Sequence, residues 1–213
     1  MRLSISEIFL SLQGESTYAG RPCAFVRLAG CDVGCKWCDT EYARQGGEVM
    51  ELAAVLARVK ALGCPLVEVT GGEPLAQAGA VVLLHQLCQA GYEVLLETFG
   101  TVDISGVDPR VVRIVDVKCP SSGAAEKMCW ENLSRLRKTD EVKLVLADRG
   151  DYDFARDVIA RYDLAGRCTV LMGPVAGELQ AATLAAWILE DHLPVRLNLQ
   201  LHKIIWPLEE RGR

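Results

Sequence analysis

Short apolar runs alternate along this chain with stretches whose apolar positions recur every three or four residues. Ala24-Phe25-Val26-Arg27-Leu28-Ala29-Gly30 reads as a short buried strand. Leu52, Val55, Leu56, Val59 and Leu62 then fall at helical spacing, and Gly63 with Pro65 stops that helix. The pattern repeats. Strands are predicted over 66–70, 93–98, 111–117, 142–146, 169–172 and 195–199, and helices over 78–90, 127–138, 152–162 and 178–190. Ahead of these, Leu3 to Phe9 alternates weakly and predicts an edge strand, while Thr40 to Gly47 reads as a polar connection.

Strands alternating with helices argue for parallel βαβ units, and right-handed crossovers would curl them into a barrel or a doubly wound sheet. Around six central strands fall short of the eight in a closed barrel, so an α/β fold with a partial (β/α)6-type barrel is expected. No low-complexity linker divides the chain, which predicts one domain over 1–213. Polar elements follow the strand carboxyl ends: a cysteine loop after the first, Gly71-Gly72-Glu73-Pro74, Glu97-Thr98, Asp116 with Lys118, and Gly173-Pro174. In such folds those ends share one mouth where ligands bind.

Composition narrows the classes. Half of the 213 residues are hydrophobic, enough for a sizeable core. A net charge of −5 argues against a nucleic-acid partner, and no apolar stretch approaches a membrane span. Nine cysteines form no paired framework, and the first residues lack a basic stretch followed by an apolar run and cleavage site. A cytoplasmic protein with reduced thiols is expected.

The chemistry centres on Cys31, Cys35 and Cys38, spaced C-x3-C-x2-C. Thiolates this close can converge on a soft metal centre. Structural zinc and most iron–sulfur clusters use four protein ligands, and no fourth cysteine lies nearby; three ligands leave one position open for catalysis. The competing readings are incidental thiols or a zinc knuckle short of a ligand. The other six cysteines, Cys23, Cys64, Cys88, Cys119, Cys129 and Cys168, read as small buried hydrophobes.

The triad, with Trp37 just before its third cysteine, resembles the radical S-adenosylmethionine (SAM) enzymes. Leu12-Gln13-Gly14-Glu15, Arg27, Asp39-Thr40 after the triad, Thr70-Gly71-Gly72-Glu73-Pro74 and Leu201-His202-Lys203 narrow the resemblance to the 7-carboxy-7-deazaguanine synthases of queuosine biosynthesis. The similarity runs in order over nearly the whole chain. It implies a lyase that converts 6-carboxy-5,6,7,8-tetrahydropterin to 7-carboxy-7-deazaguanine with loss of ammonia. An electron from a [4Fe-4S] cluster would cleave SAM, the resulting radical would take hydrogen from the carbon bearing the carboxylate, and SAM would be regenerated. It also implies a magnesium ion beside the substrate, an electron donor such as flavodoxin or ferredoxin, and a homodimer.

The resemblance assigns roles residue by residue. Cys31, Cys35 and Cys38 would hold the cluster. Trp37, Cys38, Asp39, Gly72, Glu97, Asp116 and Lys118 would line SAM; many members have Ser-Pro-Lys where Asp116 stands. Leu12, Gln13, Gly14, Glu15, Arg27, Thr70, His202 and Pro207 would contact the substrate, Arg27 through a planar fork suited to a carboxylate. Thr40 would give magnesium a hard oxygen ligand. Ser16 replaces a common glycine, Met172 stands where some members place a glutamine against adenine, and Leu208 to Arg213 extend past the family's usual end. Two rival functions share parts of the pattern: a small radical SAM activase that makes a glycyl radical on a partner, and an iron–sulfur electron carrier.

Overall fold

A computed structural model describes residues 1–206 and 211–212. Its strands are β1 (Arg2–Leu12), β2 (Pro22–Leu28), β3 (Glu48–Glu51), β4 (Leu66–Gly71), β5 (Glu93–Thr98), β6 (Val112–Lys118), β7 (Glu141–Leu146), β8 (Thr169–Pro174) and β9 (Arg196–Leu197). The helices are α1 (Leu52–Ala61), α2 (Gly79–Gln89), α3 (Glu131–Ser134), α4 (Arg149–Tyr162), α5 (Leu164–Arg167), α6 (Ala181–Glu190) and α7 (Leu201–Ile205). The strands form one sheet in the order β3-β1-β2-β4-β5-β6-β7-β8-β9. From β2 onward every pairing is parallel, while β1 runs antiparallel to both its neighbours. The edge strands β3 and β9 do not pair, so the sheet is an open, partial (β/α)6-type barrel.

The two faces of the sheet differ because side chains alternate along each strand. Val26 and Leu28, Val67 and Val69, Val142 and Leu144 point outward and are fully buried with Val55 of α1, Leu84 of α2 and Tyr152 of α4. Each such leucine or valine contributes about 1.5–3 kcal/mol of burial. The alternate residues, Arg27, Glu68, Thr70, Asp116 and Lys143, point into the barrel and line a cavity of about 840 Å3. Charged groups in mid-strand are tolerated there because they face one another.

Helix ends follow their local chemistry. The Asp148 carboxylate accepts the Asp151 amide at 2.9 Å, which starts α4 three residues before the predicted position. Three expectations change. Glu48–Glu51 pairs with Arg2–Ile5, so β1 lies inside the sheet and β3 is the edge. The helix predicted over 127–138 shrinks to α3, because Asn132 spends its side chain on Gly100 O, Val102 O and the Ile104 amide, stitching the segment to the loop after β5. The last strand keeps only Arg196 and Leu197; Asn198 turns its amide toward Glu15 and the Ser16 amide. Those bonds, with Leu201 N donating to Gly14 O at 2.9 Å, tie the turn after β1 to the segment after β9, on the side of the sheet where β2 and β7 begin.

Candidate functional site

The cysteine loop leaves the carboxyl end of β2 through Gly30, whose φ of +100° few side-chain-bearing residues adopt. It is held from both sides. Gly30 N donates to Ala43 O at 2.8 Å, Lys36 N to Ser122 O at 3.1 Å, and Lys127 Nζ to the carbonyls of Asp32 and Val33. Val33 is buried and anchors the loop, leaving Cys31, Cys35 and Cys38 half-buried with free thiols. Burial pushes the Cys35 thiol up, as expected before any metal draws off its proton. Cys38 Sγ lies 3.8 Å from Thr40 Oγ1. Among the described residues no three His, Cys, Asp or Glu side chains are grouped to hold a single metal ion.

Gly72, at the carboxyl end of β4, packs directly on this loop. A β-carbon there would lie 2.1 Å from Gly30 O and 2.6 Å from Cys31 Cβ. The next residue, Glu73, is structural: its buried carboxylate accepts the Leu75 amide at 3.0 Å, the Thr98 hydroxyl at 2.8 Å and the Phe99 amide at 2.8 Å. It thereby ties β4 to β5 beneath the loop, and burial raises its pKa.

Deeper in the cavity the charges are organised by Lys143, which sequence reasoning missed. Its Nζ bonds the Glu97 carboxylate, lies 3.1 Å from Glu15 Oε2 and 3.5 Å from Asp116 Oδ2. Burial opposes the charge on Lys143, but Glu15, Glu97 and Asp116 outweigh it and hold the ammonium well above its usual range. Lys118 donates to Asp116 Oδ2 at 2.8 Å and sits 4.2 Å over the Phe99 ring. Among the described residues, the buried Asp116 Oδ1 has no hydrogen-bond partner. Such an orphan acceptor on a cavity wall is what a donor-bearing ligand would satisfy.

The opposite wall comes from β1, β2 and α7. Arg27 donates Nε to Glu7 Oε1 at 2.7 Å, its register partner on β1, and Tyr42 OH donates to the same oxygen at 2.7 Å. Arg211 stacks 4.5 Å over the Tyr42 ring, and Gly212 N donates to Glu7 Oε2 at 3.2 Å. Gln13 donates to the buried Glu68 carboxylate and accepts the Glu15 amide at 2.8 Å. Burial, with Glu97 nearby, pushes Glu68 well above the usual carboxylate range. Glu15 goes the other way: burial opposes ionisation, but Lys143 and Gln200 lower it overall. His202 lies beside Gly14, and burial lowers its pKa, so the imidazole is neutral at pH 7. Asp39, at the rim, is paired with Lys203 at 3.2 Å; burial opposes its charge, but Lys203 and Lys143 bring it down to about 2.

Leu12, Gln13, Gly14, Glu15, Arg27, Thr70 and His202 therefore line the same cavity as Cys35, Trp37, Cys38, Asp39, Thr40 and Gly72, and as Glu97, Asp116 and Lys118. Cys31 abuts Gly72. Pro207 lies outside the described residues. Cys129 is half-exposed with its thiol 3.4 Å from Glu131, unlike the buried residue expected, because the shortened helix leaves it on a loop. Ser16 holds a φ of +64°, the left-handed conformation that glycine adopts most easily. The residues missed, Lys143 and Glu68, did carry a signal: each interrupts an apolar parallel strand with a charge.

Three soft thiols on a glycine-padded loop beside an open cavity, with no fourth ligand among the described residues, fit an iron–sulfur cluster with one free iron. The orphan carboxylate oxygen of Asp116 and the neighbouring carboxylates fit a cationic ligand next to it. The radical SAM superfamily model matches residues 26–116. The chain is 50% identical to a 7-carboxy-7-deazaguanine synthase of Chlorobaculum tepidum, over 99% of this chain and 97% of the relative. It is 44% identical to one from Koribacter versatilis, over 99% and 100%. The crystal structure of QueE from Escherichia coli superposes with a TM-score of 0.79 over 95% of both chains at 23% identity, which supports the fold. The chain belongs to the 7-carboxy-7-deazaguanine synthase family of radical SAM enzymes.

Proposed function

We propose that this protein converts 6-carboxy-5,6,7,8-tetrahydropterin to 7-carboxy-7-deazaguanine with release of ammonia. The observation that carries the reading is the shared cavity: the cysteine loop and the Gln13, Glu15, Arg27, His202 wall face one space of about 840 Å3, ample for two small ligands. Cys31, Cys35 and Cys38 would hold the cluster, which would supply the electron for reductive cleavage of SAM.

The chain's own groups then divide the work. Gly72 lets backbone run close under the methionine end of SAM, where a side chain would collide with the cysteine loop. Asp116 Oδ1 and Glu97 accept from the ammonium or ribose hydroxyls, and Lys118 holds the Asp116 carboxylate in place through its other oxygen. Trp37, Cys38 and Asp39 line the adenosyl side. At the other end Arg27, fixed through Nε by Glu7, presents its remaining nitrogens to the substrate carboxylate. The Glu15 carboxylate accepts from the amino and ring N–H edge of the pterin, beside Gln13, Gly14 and the apolar Leu12. Neutral His202 and the Thr70 hydroxyl can each donate or accept at the ring. The Thr40 hydroxyl supplies an oxygen for magnesium, which takes few protein ligands.

The test is an anaerobic turnover of the reconstituted protein with SAM, a reductant, magnesium and the carboxypterin. The expected result is the deazapurine product with one ammonia per turnover. SAM cleavage without any deazapurine would count against the substrate.

A further inference from the structure

Lys143 is the most deeply placed cation of the cavity and has no role in the scheme above. It stands in the middle of β7, only 5% exposed, directly opposite Asp116 of β6 in the strand register. Its three partners come from three separate elements: Glu15 from the turn after β1, Glu97 from the end of β5, and Asp116. An ammonium has three protons, and here each has a carboxylate to meet. Both outer carboxylates are steered on their far sides as well, Glu97 by the Thr70 hydroxyl at 3.2 Å and Glu15 by Gln200 at 2.9 Å.

We propose that Lys143 is a positioning residue shared by two ligand subsites: its ammonium holds Glu15 at the pterin end and Glu97 at the SAM end aimed at their ligands. The inference rests on the functional reading above and adds to it a single cation on which both ligands depend. The charges facing Lys143 set the consequence. Four acids, Glu15, Glu68, Glu97 and Asp116, share the cavity floor with Lys143 and Lys118, while Arg27, Asp39, His202 and Lys203 stand farther out along its walls and rim. Removing Lys143 leaves the carboxylates facing one another, so they repel and turn out of aim; Glu15, whose pKa Lys143 lowers, also takes up a proton more readily. A misaimed acceptor at the SAM end and a misaimed, more readily protonated one at the pterin end make both affinities fall together. Raising the pH restores the Glu15 charge and part of the carboxypterin affinity.

The experiment measures equilibrium affinities of the cluster-loaded, unreduced protein for SAM and for the carboxypterin between pH 6.5 and 9. Lys143→Met is expected to weaken both ligands roughly tenfold or more at pH 7, with recovery of the carboxypterin affinity toward pH 9 that the wild type does not show. Glu97→Gln should weaken SAM alone and Glu15→Gln the carboxypterin alone. In Glu97→Gln/Lys143→Met, SAM should bind within about twofold of Glu97→Gln, because contacting residues are non-additive, while the carboxypterin still weakens. The double variant, one charge of each sign removed, also serves if Lys143→Met does not fold. Unchanged affinities in Lys143→Met, or carboxypterin binding in the double variant equal to that of Glu97→Gln, would overturn the proposal. A wild type that binds neither ligand would instead overturn the functional reading, and this inference with it.

Discussion

Gly14 makes the room that the His202 ring fills: a β-carbon on Gly14 would lie 2.3 Å from His202 Nδ1 and 3.2 Å from its backbone nitrogen. The turn after β1 and the helix α7, almost the length of the chain apart, are thus fitted to each other at the end of the cavity proposed for the substrate. Gly14→Ala should displace the imidazole without disturbing the cysteine loop. The expected outcome is a raised KM for the carboxypterin, with iron content and SAM affinity unchanged.

Gly72 plays the corresponding part at the cluster end. Its missing β-carbon would strike backbone, the Gly30 carbonyl at 2.1 Å, which cannot swing aside as a flexible side chain would. Gly72→Ala should therefore push the cysteine loop off β4. Protein reconstituted in parallel with the wild type is expected to hold much less iron and sulfide, measured by colorimetric assay and by the visible absorbance of the cluster.

Arg27 is held by Glu7 at 2.7 Å, and Glu7 also takes Tyr42 OH at 2.7 Å. Arg27→Ala should weaken carboxypterin binding while sparing the cluster and SAM, read by titrating each ligand. Glu7→Gln should weaken the same ligand by a smaller factor, because Arg27 stays charged but loses its fixed orientation. Equal affinity in all three proteins would count against the carboxylate-binding role.

Away from the cavity, Asp140 is the main electrostatic anchor. It is fully buried and accepts from Arg113 N at 3.1 Å, Arg113 Nε at 3.2 Å, Arg137 N at 2.8 Å and Arg137 Nη2 at 2.8 Å. Asp140→Ala strands the buried Arg113 guanidinium and should cost about 3–5 kcal/mol in urea unfolding. Burial opposes ionisation of Asp140, but the hydrogen bonds from Arg137 and Arg113 lower its pKa overall. A carboxylate with a depressed folded-state pKa adds stability that is complete above its unfolded pKa, about 4. That stability is lost as the pH falls toward the folded value. Asp140→Ala should accordingly flatten the acid limb of the stability–pH curve, which denaturation at a series of pH values would show.

The sequence laid out the barrel well because its parallel strands are apolar runs with turn residues between them, and parallel strands buried on both faces leave that mark. Cys31, Cys35, Cys38, Gln13, Glu15, Arg27 and His202 were also legible, each in a short motif at or near a strand end. What stayed hidden depended on contacts distant in sequence. Glu48–Glu51 is too polar to announce a strand and exists because β1 offers it a ladder. The segment 127–138 has helical spacing, but Asn132 commits its polar groups to the loop after β5. Lys143 and Glu68 sit inside strands that periodicity treats as core. Only the three-dimensional ring of carboxylates explains a charge there.

The central claim is that SAM and a carboxypterin lie side by side between the cysteine loop and the Arg27 wall, close enough to exchange a hydrogen atom. Turnover of carboxypterin deuterated at the carbon bearing the carboxylate tests this most directly, with mass analysis of the recovered SAM. The account predicts deuterium in the 5′ position of SAM, accumulating as deazapurine forms. Deazapurine formed with no label in SAM or in 5′-deoxyadenosine would contradict it.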